Sequence, residues 1–154
     1  MYYLDVDPIQ MDTQFQSLRI RGEPTESSQS LEERTRTIIQ LAIDRKYPHV
    51  CIINDPIEII HPSLLVGQLE EARSIIDWDV ICLQAEYTKP YYRHSDSCHR
   101  VYSIQRLNAY IIRSSYFHTF LSTSPEHRLL LPRADRWYMI TPNVEHTNPS
   151  VSYL

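Results

Sequence analysis

The chain has 154 residues, 42% of them hydrophobic and 22% charged, with a net charge of −4 and a pI near 5.9. These values fit one globular domain with a real core and disfavour a general nucleic-acid binder, which would usually be basic. There are two glycines, Gly22 and Gly67, where average usage would give about 11, so neither a G-x-x-x-x-G-K-[ST] phosphate loop nor a G-x-G-x-x-G dinucleotide turn can be built.

No apolar run reaches the roughly 20 residues of a membrane span. The start Met1-Tyr2-Tyr3-Leu4-Asp5 lacks a basic region followed by an apolar one, so no signal peptide is visible. Cys51, Cys82 and Cys98 are an odd count with no Cys-x-x-Cys pair, which argues against a disulfide framework and for a reducing, cytoplasmic compartment. Cys51 and Cys82 lie inside apolar runs and read as small buried hydrophobes.

In chain order, the first 30 residues read as an irregular arm. They are polar, carry Pro8, Gly22 and Pro24, and offer only a weak strand at Tyr2 to Val6. The patterned domain spans residues 31–154. Ser30 with Glu33 forms a capping box, and Leu31, Ile38, Leu41 and Ala42 make the stripe of a helix that Pro48 stops. His49 to Ile53 is a short apolar strand, closed by the polar break Asn54-Asp55-Pro56. A second helix is predicted from Ser63 to about Ile76, and a second apolar strand from Asp79 to Gln84. Ala85 to His99 reads as a polar, tyrosine-rich loop. Val101 to Ile104 reads as a short strand leading into a third helix over Leu107 to Leu121, and Trp137 to Thr141 as a last strand. The alternation of strands and helices predicts an α/β fold with a mainly parallel sheet, in which ligands sit at the carboxyl ends of the strands.

Several blocks, taken together, resemble family 25 glycosyltransferases. His49-Val-Cys-Ile-Ile-Asn-Asp-Pro-Ile-Glu-Ile60 is similar to that family's apolar strand ending in Glu-Asp-Asp-Val. Trp78-Asp79-Val80-Ile81-Cys82-Leu83 is similar to its Trp-Asp strand, and Tyr102-Ser103-Ile104-Gln105-Arg106-Leu107-Asn108-Ala109 to its Tyr-x-Ile-x-x-x-x-Ala signature. Pro132 through Asp135 and Thr141-Pro142-Asn143 match two later blocks, so the likeness covers about Leu31 to Ser152. It implies a reduced GT-A fold: a mixed, mainly parallel, Rossmann-like sheet with flanking helices. It also implies transfer of a sugar from a nucleotide-sugar donor, usually a uridine one, to a hydroxyl of a protein or glycan acceptor. A manganese or magnesium ion would neutralise the diphosphate leaving group. Short members with eroded motifs are known from large DNA viruses, which would place such a protein in host cytoplasm or in a virion.

The resemblance assigns nucleotide-sugar contact to Asn54, Asp55 and Tyr102, metal ligation to Asp55 and the late pocket residue His146, and the role of acceptor-activating base or of a pocket acid to Asp135. The family's three acidic residues are Asn54-Asp55-Pro56 here, so one carboxylate remains, with Glu58 two residues beyond Pro56 as a substitute. Asn-Asp-Pro is also turn chemistry in its own right. Asp135, between Arg133 and Arg136, reads equally as a surface ion pair. Lys89 with Tyr87, Tyr91, Tyr92 and Arg93 reads as a lid contacting sugar or phosphate, or as a patch for a protein partner. His94 and His99 flank Ser-Asp-Ser-Cys, a spacing that fits no standard zinc site and reads as a solvated loop. With one carboxylate left and little of the family's N-terminal unit, the chain also reads as a catalytically inactive descendant kept as a structural or interaction module.

Overall fold

The computed structural model describes residues 2–3, 23–24, 30–54, 57–75, 77–88, 91–140 and 144–146. An eight-stranded mixed sheet runs in the order β2-β1-β3-β8-β5-β9-β7-β6, where β1 is Tyr2–Tyr3, β2 Glu23–Pro24, β3 His49–Ile53, β5 Val80–Tyr87, β6 Tyr91–Arg93, β7 Cys98–Val101, β8 Ile104–Arg113 and β9 Trp137–Ile140. Strands β1, β2, β3, β5, β9 and β6 point one way, and β8 and β7 run against them. A separate antiparallel pair joins β4 (Ile57–Ile59) to β10 (Val144–His146). The fold is therefore α/β, as the strand–helix alternation predicts, and its sheet is mixed: β1–β2, β1–β3 and β5–β9 pair in parallel, while the four pairings made by β8 and β7 are antiparallel rather than the mainly parallel set expected. The segment before Ser30 adds two short parallel strands to it.

Two helices flank the sheet on opposite faces. Helix α1 (Leu31–Asp44) presents Ile38, Ile39 and Ala42 to Val50, Ile52, Val80, Cys82, Tyr110 and Ile112. Helix α2 (Pro62–Ser74) presents Leu65 and Ala72 to Cys51, Ile53, Ile81, Ala109 and Ile111 on the other face. The alternation of neighbouring strand residues between these two cores is the period-2 signature of a sheet covered on both sides. No helix among the described residues is long and apolar enough to cross a membrane.

The capping box of α1 forms as its sequence predicts. The Ser30 hydroxyl accepts from the Glu33 N–H at 3.2 Å, and the Glu33 carboxylate accepts from the Ser30 N–H at 2.8 Å. At the other end Tyr47 N–H donates to the Ala42 carbonyl and Lys46 N–H to the Ile43 carbonyl, at 2.9 and 3.0 Å. This is a Schellman closure, which needs a left-handed residue usually supplied by glycine. Here Lys46 adopts it, with φ 55°.

Three expectations are corrected. The predicted helix over Leu107–Leu121 is instead strand β8, then a single 3-10 turn (Ser114–Tyr116) and a short helix α3 (Phe117–Ser122). An apolar run buried on both faces carries no period that separates helix from strand; here Tyr110-Ile111-Ile112, one aromatic and two β-branched residues, take the central strand. The short strand at Val101–Ile104 is the junction of β7 and β8. The loop over Ala85–His99 is largely a continuation of β5 and a hairpin, in which β6 pairs with β7 through a turn where His94 and Ser95 N–H both donate to the Cys98 carbonyl. All three cysteines are free and buried, as expected for Cys51 and Cys82; burial pushes the Cys51 and Cys98 thiols up to about 12.

Lys46→Gly should stabilise the fold by about 0.5–1 kcal/mol, because relief of the left-handed strain exceeds the added freedom of the unfolded chain. Urea unfolding of the two proteins measures it, and a loss of stability would show that the Lys46 side chain contributes more than its backbone costs.

Candidate functional site

Antiparallel pairing brings the start of β8 to the carboxyl end of β3. There Asn54 N–H donates to the Asn108 carbonyl at 2.7 Å, and Asn54 Nδ2 donates to the Leu107 carbonyl at 3.0 Å. Above this point lies a cleft of about 410 Å³ whose lining includes Glu32, Thr35, Asn54, Tyr110, Phe120 and Arg128. Its position at a strand's carboxyl end is the one expected of a ligand site in an α/β sheet.

The cleft wall is held by a salt bridge across 96 residues of sequence. The Arg128 guanidinium, in the four-residue helix α4 (Pro125–Arg128), donates twice to the Glu32 carboxylate, at 2.5 and 2.9 Å. Arg128 Nε donates to the Phe120 carbonyl at 2.9 Å, and the guanidinium lies 4.5 Å from the Phe120 ring centroid. This geometry commits the arginine to tying α4 to α1 and α3, and the two charges cancel within the wall. On the floor, burial pushes the Tyr110 phenol up to about 12, against the opposing effect of hydrogen bonds with Asn54 and Thr35. Tyr110 is therefore a neutral hydroxyl at physiological pH.

The structure gathers some of the sequence-derived candidates and separates others. Asn54 lines the cleft. Asp55 and Lys89 lie outside the described residues. Backbone pairing sets His146 of β10 opposite Ile57 of β4, three residues along the chain from Asn54. Asp135 goes elsewhere. It precedes β9, whose Trp137 is in register with Val80 at the amino end of β5, and Val80 is level with Val50 of β3 through Ile112. Val50 and Asn54 are four strand residues apart, roughly 13 Å at the rise of a strand, so Asp135 and Asn54 stand at opposite ends of the sheet. Asp135 accepts a 2.5 Å hydrogen bond from the Tyr116 hydroxyl, which itself lies 3.5 Å from the Trp137 indole nitrogen. The flanking Arg136 pairs with Asp77 and Asp79 rather than with Asp135. Tyr102 occupies the link between β7 and β8, its ring 5.1 Å from the Arg100 guanidinium, away from the cleft.

The tyrosine-rich segment packs inward at one end. His99 Nε2 and the Tyr87 hydroxyl share a 2.8 Å hydrogen bond, and the Tyr91 ring stands 5.0 Å from the His99 ring. His94, in the turn, meets the Tyr138 ring at 5.8 Å. Among the described residues no three His, Cys, Asp or Glu side chains are grouped to hold a metal. Glu32, Thr35, Tyr110 and Arg128 carry no local sequence signal as site residues, because they meet only through the tertiary fold.

No family model and no curated protein matches the chain. In structure it is similar to A197 from STIV, with a TM-score of 0.62 at 10% identity over 94% of this chain and 82% of that one. It is also similar to mannose-1-phosphate geranyltransferase from Thermus thermophilus, with a TM-score of 0.49 at 7% identity over 92% of this chain and 59% of that one. A third neighbour is CMP:2-keto-3-deoxy-manno-octonic acid synthetase complexed with CTP, with a TM-score of 0.45 at 12% identity over 94% and 75% of the two chains. The likeness to A197 shows a shared fold.

Burial lowers the pKa of His99 below its ordinary 6.5, so the folded protein holds the ring neutral. A group whose folded pKa is depressed in this way, when its charged form is the protonated one, binds more protons unfolded than folded. Its full contribution is present above about pH 6.5 and is lost as pH falls below that value. Stability should therefore drop on acidification through this window, and His99→Gln should flatten the drop in a series of urea melts at stepped pH. His49, shifted the same way, keeps part of the slope in place. An unchanged slope in the variant would contradict the assignment.

Proposed function

We propose that this protein binds a nucleotide-sugar donor in the cleft at the carboxyl end of β3 and transfers the sugar to an acceptor hydroxyl with the help of a divalent cation. The observation that carries the reading is Asn54. It stands where the family 25 acidic triplet begins, it lines the cleft, and its Oδ1 is a buried oxygen with no hydrogen-bond partner among the described residues. An oxygen of that kind fits a hard cation. Asp55 would add the carboxylate and His146 a third ligand, a reading supported by the pairing of its strand with β4, just beyond Asn54 in the chain. Manganese tolerates such a mixed oxygen and imidazole set. When bound, the cation would neutralise the charge that builds on the diphosphate as the sugar leaves.

The chain's own residues would do the rest of the binding. Tyr110, kept neutral by burial, presents a hydroxyl to the cleft floor, and the Glu32–Arg128 pair keeps the walls in place while contributing no net charge. Asp135 has no part in this cleft, so the acceptor-activating role drawn from the family resemblance does not carry over to it.

A second reading, a binding module without catalysis, is favoured by one feature. Glu32 and Arg128, the charged pair in the wall, are committed to each other and to the fold.

Calorimetric titration of the protein with Mn²⁺ and uridine or guanosine sugar nucleotides tests both. Binding at millimolar ligand is expected, and Asp55→Ala should abolish it while leaving thermal unfolding unchanged. No binding at that concentration overturns the proposal. Binding without release of nucleoside diphosphate in the presence of acceptors selects the second reading.

A further inference from the structure

The eight-stranded sheet ends in two edges of different chemistry. One is β2, where Pro24 has no N–H to give a further strand. The other is β6, Tyr91-Tyr92-Arg93, which pairs with β7 alone among the described residues. All three β6 residues are exposed, Tyr91 at 45% and Tyr92 at 65%. Tyrosine and arginine are residue types that protein interfaces favour.

The ladder decides which backbone groups of this edge are left over. His94 N–H donates to the Cys98 carbonyl at 3.0 Å, which puts His94 and Cys98 in hydrogen-bonding position across the hairpin. Hydrogen-bonded and non-hydrogen-bonded pairs alternate along an antiparallel ladder. Tyr92 with Arg100 is therefore the next hydrogen-bonded pair, and Tyr91–Val101 and Arg93–His99 are not. Tyr91 and Arg93 then turn their N–H and C=O groups away from β7. These four groups meet no partner among the described residues.

The edge is complementary to itself. Laid antiparallel on a second β6 about Tyr92, Tyr91 faces the partner's Arg93, and Arg93 faces the partner's Tyr91. Four N–H to C=O bonds then form between the copies. The other registers that join outward groups make only two bonds, and one of them opposes the two arginines. In the four-bond register each arginine faces a tyrosine ring, an attractive pairing. Tyr92 meets the partner's Tyr92 on the face that carries Arg100 and Tyr138. We infer that β6 is an edge for self-association: two copies join through Tyr91-Tyr92-Arg93 about a two-fold axis at Tyr92, continuing one sheet into the other. The contact is isologous, so it closes on itself as a dimer. It does not depend on the donor reading, because β6 lies four strands beyond β8 in the sheet and the cleft takes no part in it.

Sedimentation equilibrium of the full chain, from micromolar to about 1 mM, tests this. A three-residue edge is a small interface, so the association is weak and reversible. The weight-average mass should climb from 18.2 kDa toward twice that value as concentration rises. Tyr92→Lys and Tyr92→Glu, each at an exposed position, should stay monomeric over the same range, because the two-fold axis sets each new charge against itself. An equimolar mixture of the two variants should associate again, since opposite charges then meet at the axis. Recovery in the mixture also shows that both variants are folded. Wild type that stays at 18.2 kDa throughout overturns the inference and leaves the edge to a strand of a different protein. Dimers that persist in both single variants overturn it by placing the interface elsewhere, and a mixture that fails to associate overturns the two-fold axis at Tyr92.

Discussion

The sheet is organised by one strand that runs the wrong way. Strand β8 lies antiparallel between β3 and β5, and its residues alternate into both cores: Ala109 and Ile111 toward α2, Tyr110 and Ile112 toward α1 and α3. A strand covered on both faces can be continuously apolar, which is why Tyr110-Ile111-Ile112 is tolerated at the centre of a domain of this size. Full burial of such side chains is worth about 1.5–3 kcal/mol each before the entropy of ordering is charged against it. The reversed direction has a second effect. It delivers the start of β8, with Leu107 and Asn108, to the same end of the sheet as Asn54, so the strand that builds the middle of the core also builds the back of the cleft.

The outer wall of that cleft depends on a different force. Phe120 stacks on Trp137 with ring centroids 6.3 Å apart and carries the Arg128 guanidinium on its side. Arg128 is 6% exposed, and a buried guanidinium is tolerable only when its donors are used. The Glu32 carboxylate and the Phe120 carbonyl use them. The ion pair is thus the condition under which short, weakly helical segments after Phe117 can be held against α1, and it accounts for charged residues in the cleft without invoking catalysis.

Local signals are legible in the sequence, and tertiary ones are not. Ser30 with Glu33, and Pro48 after Tyr47, mark both ends of α1 by chemistry confined to a few residues. The apolar runs of β3 and β9 are bounded by polar breaks, which fix their ends to within a residue or two. Strand β8 reads as a helix because Leu107, Tyr110 and Ile111 also satisfy a helical stripe when both faces are buried. The β6–β7 hairpin reads as a loop because its residues are polar or exposed aromatics with no clean alternation. At the site, Asn54 follows from its position after an apolar strand. The family resemblance puts Asp135 at the site, yet its place in the chain argues otherwise. It precedes β9, and residues before a parallel strand lie at the amino end, away from ligands. The partnership of Glu32 with Arg128 and the meeting of Asn54 with Leu107 and Asn108 depend on strand order and packing, which no window of sequence contains.

The scarcity of glycine bears on both the fold and the proposed site. Without glycine at the C-terminus of α1, Lys46 takes the left-handed position, so the chain accepts local strain where another sequence would avoid it. The same scarcity removes the backbone cradles through which many folds hold phosphate. On the proposed reading, a donor diphosphate would then have to be met by side chains and a cation rather than by such cradles.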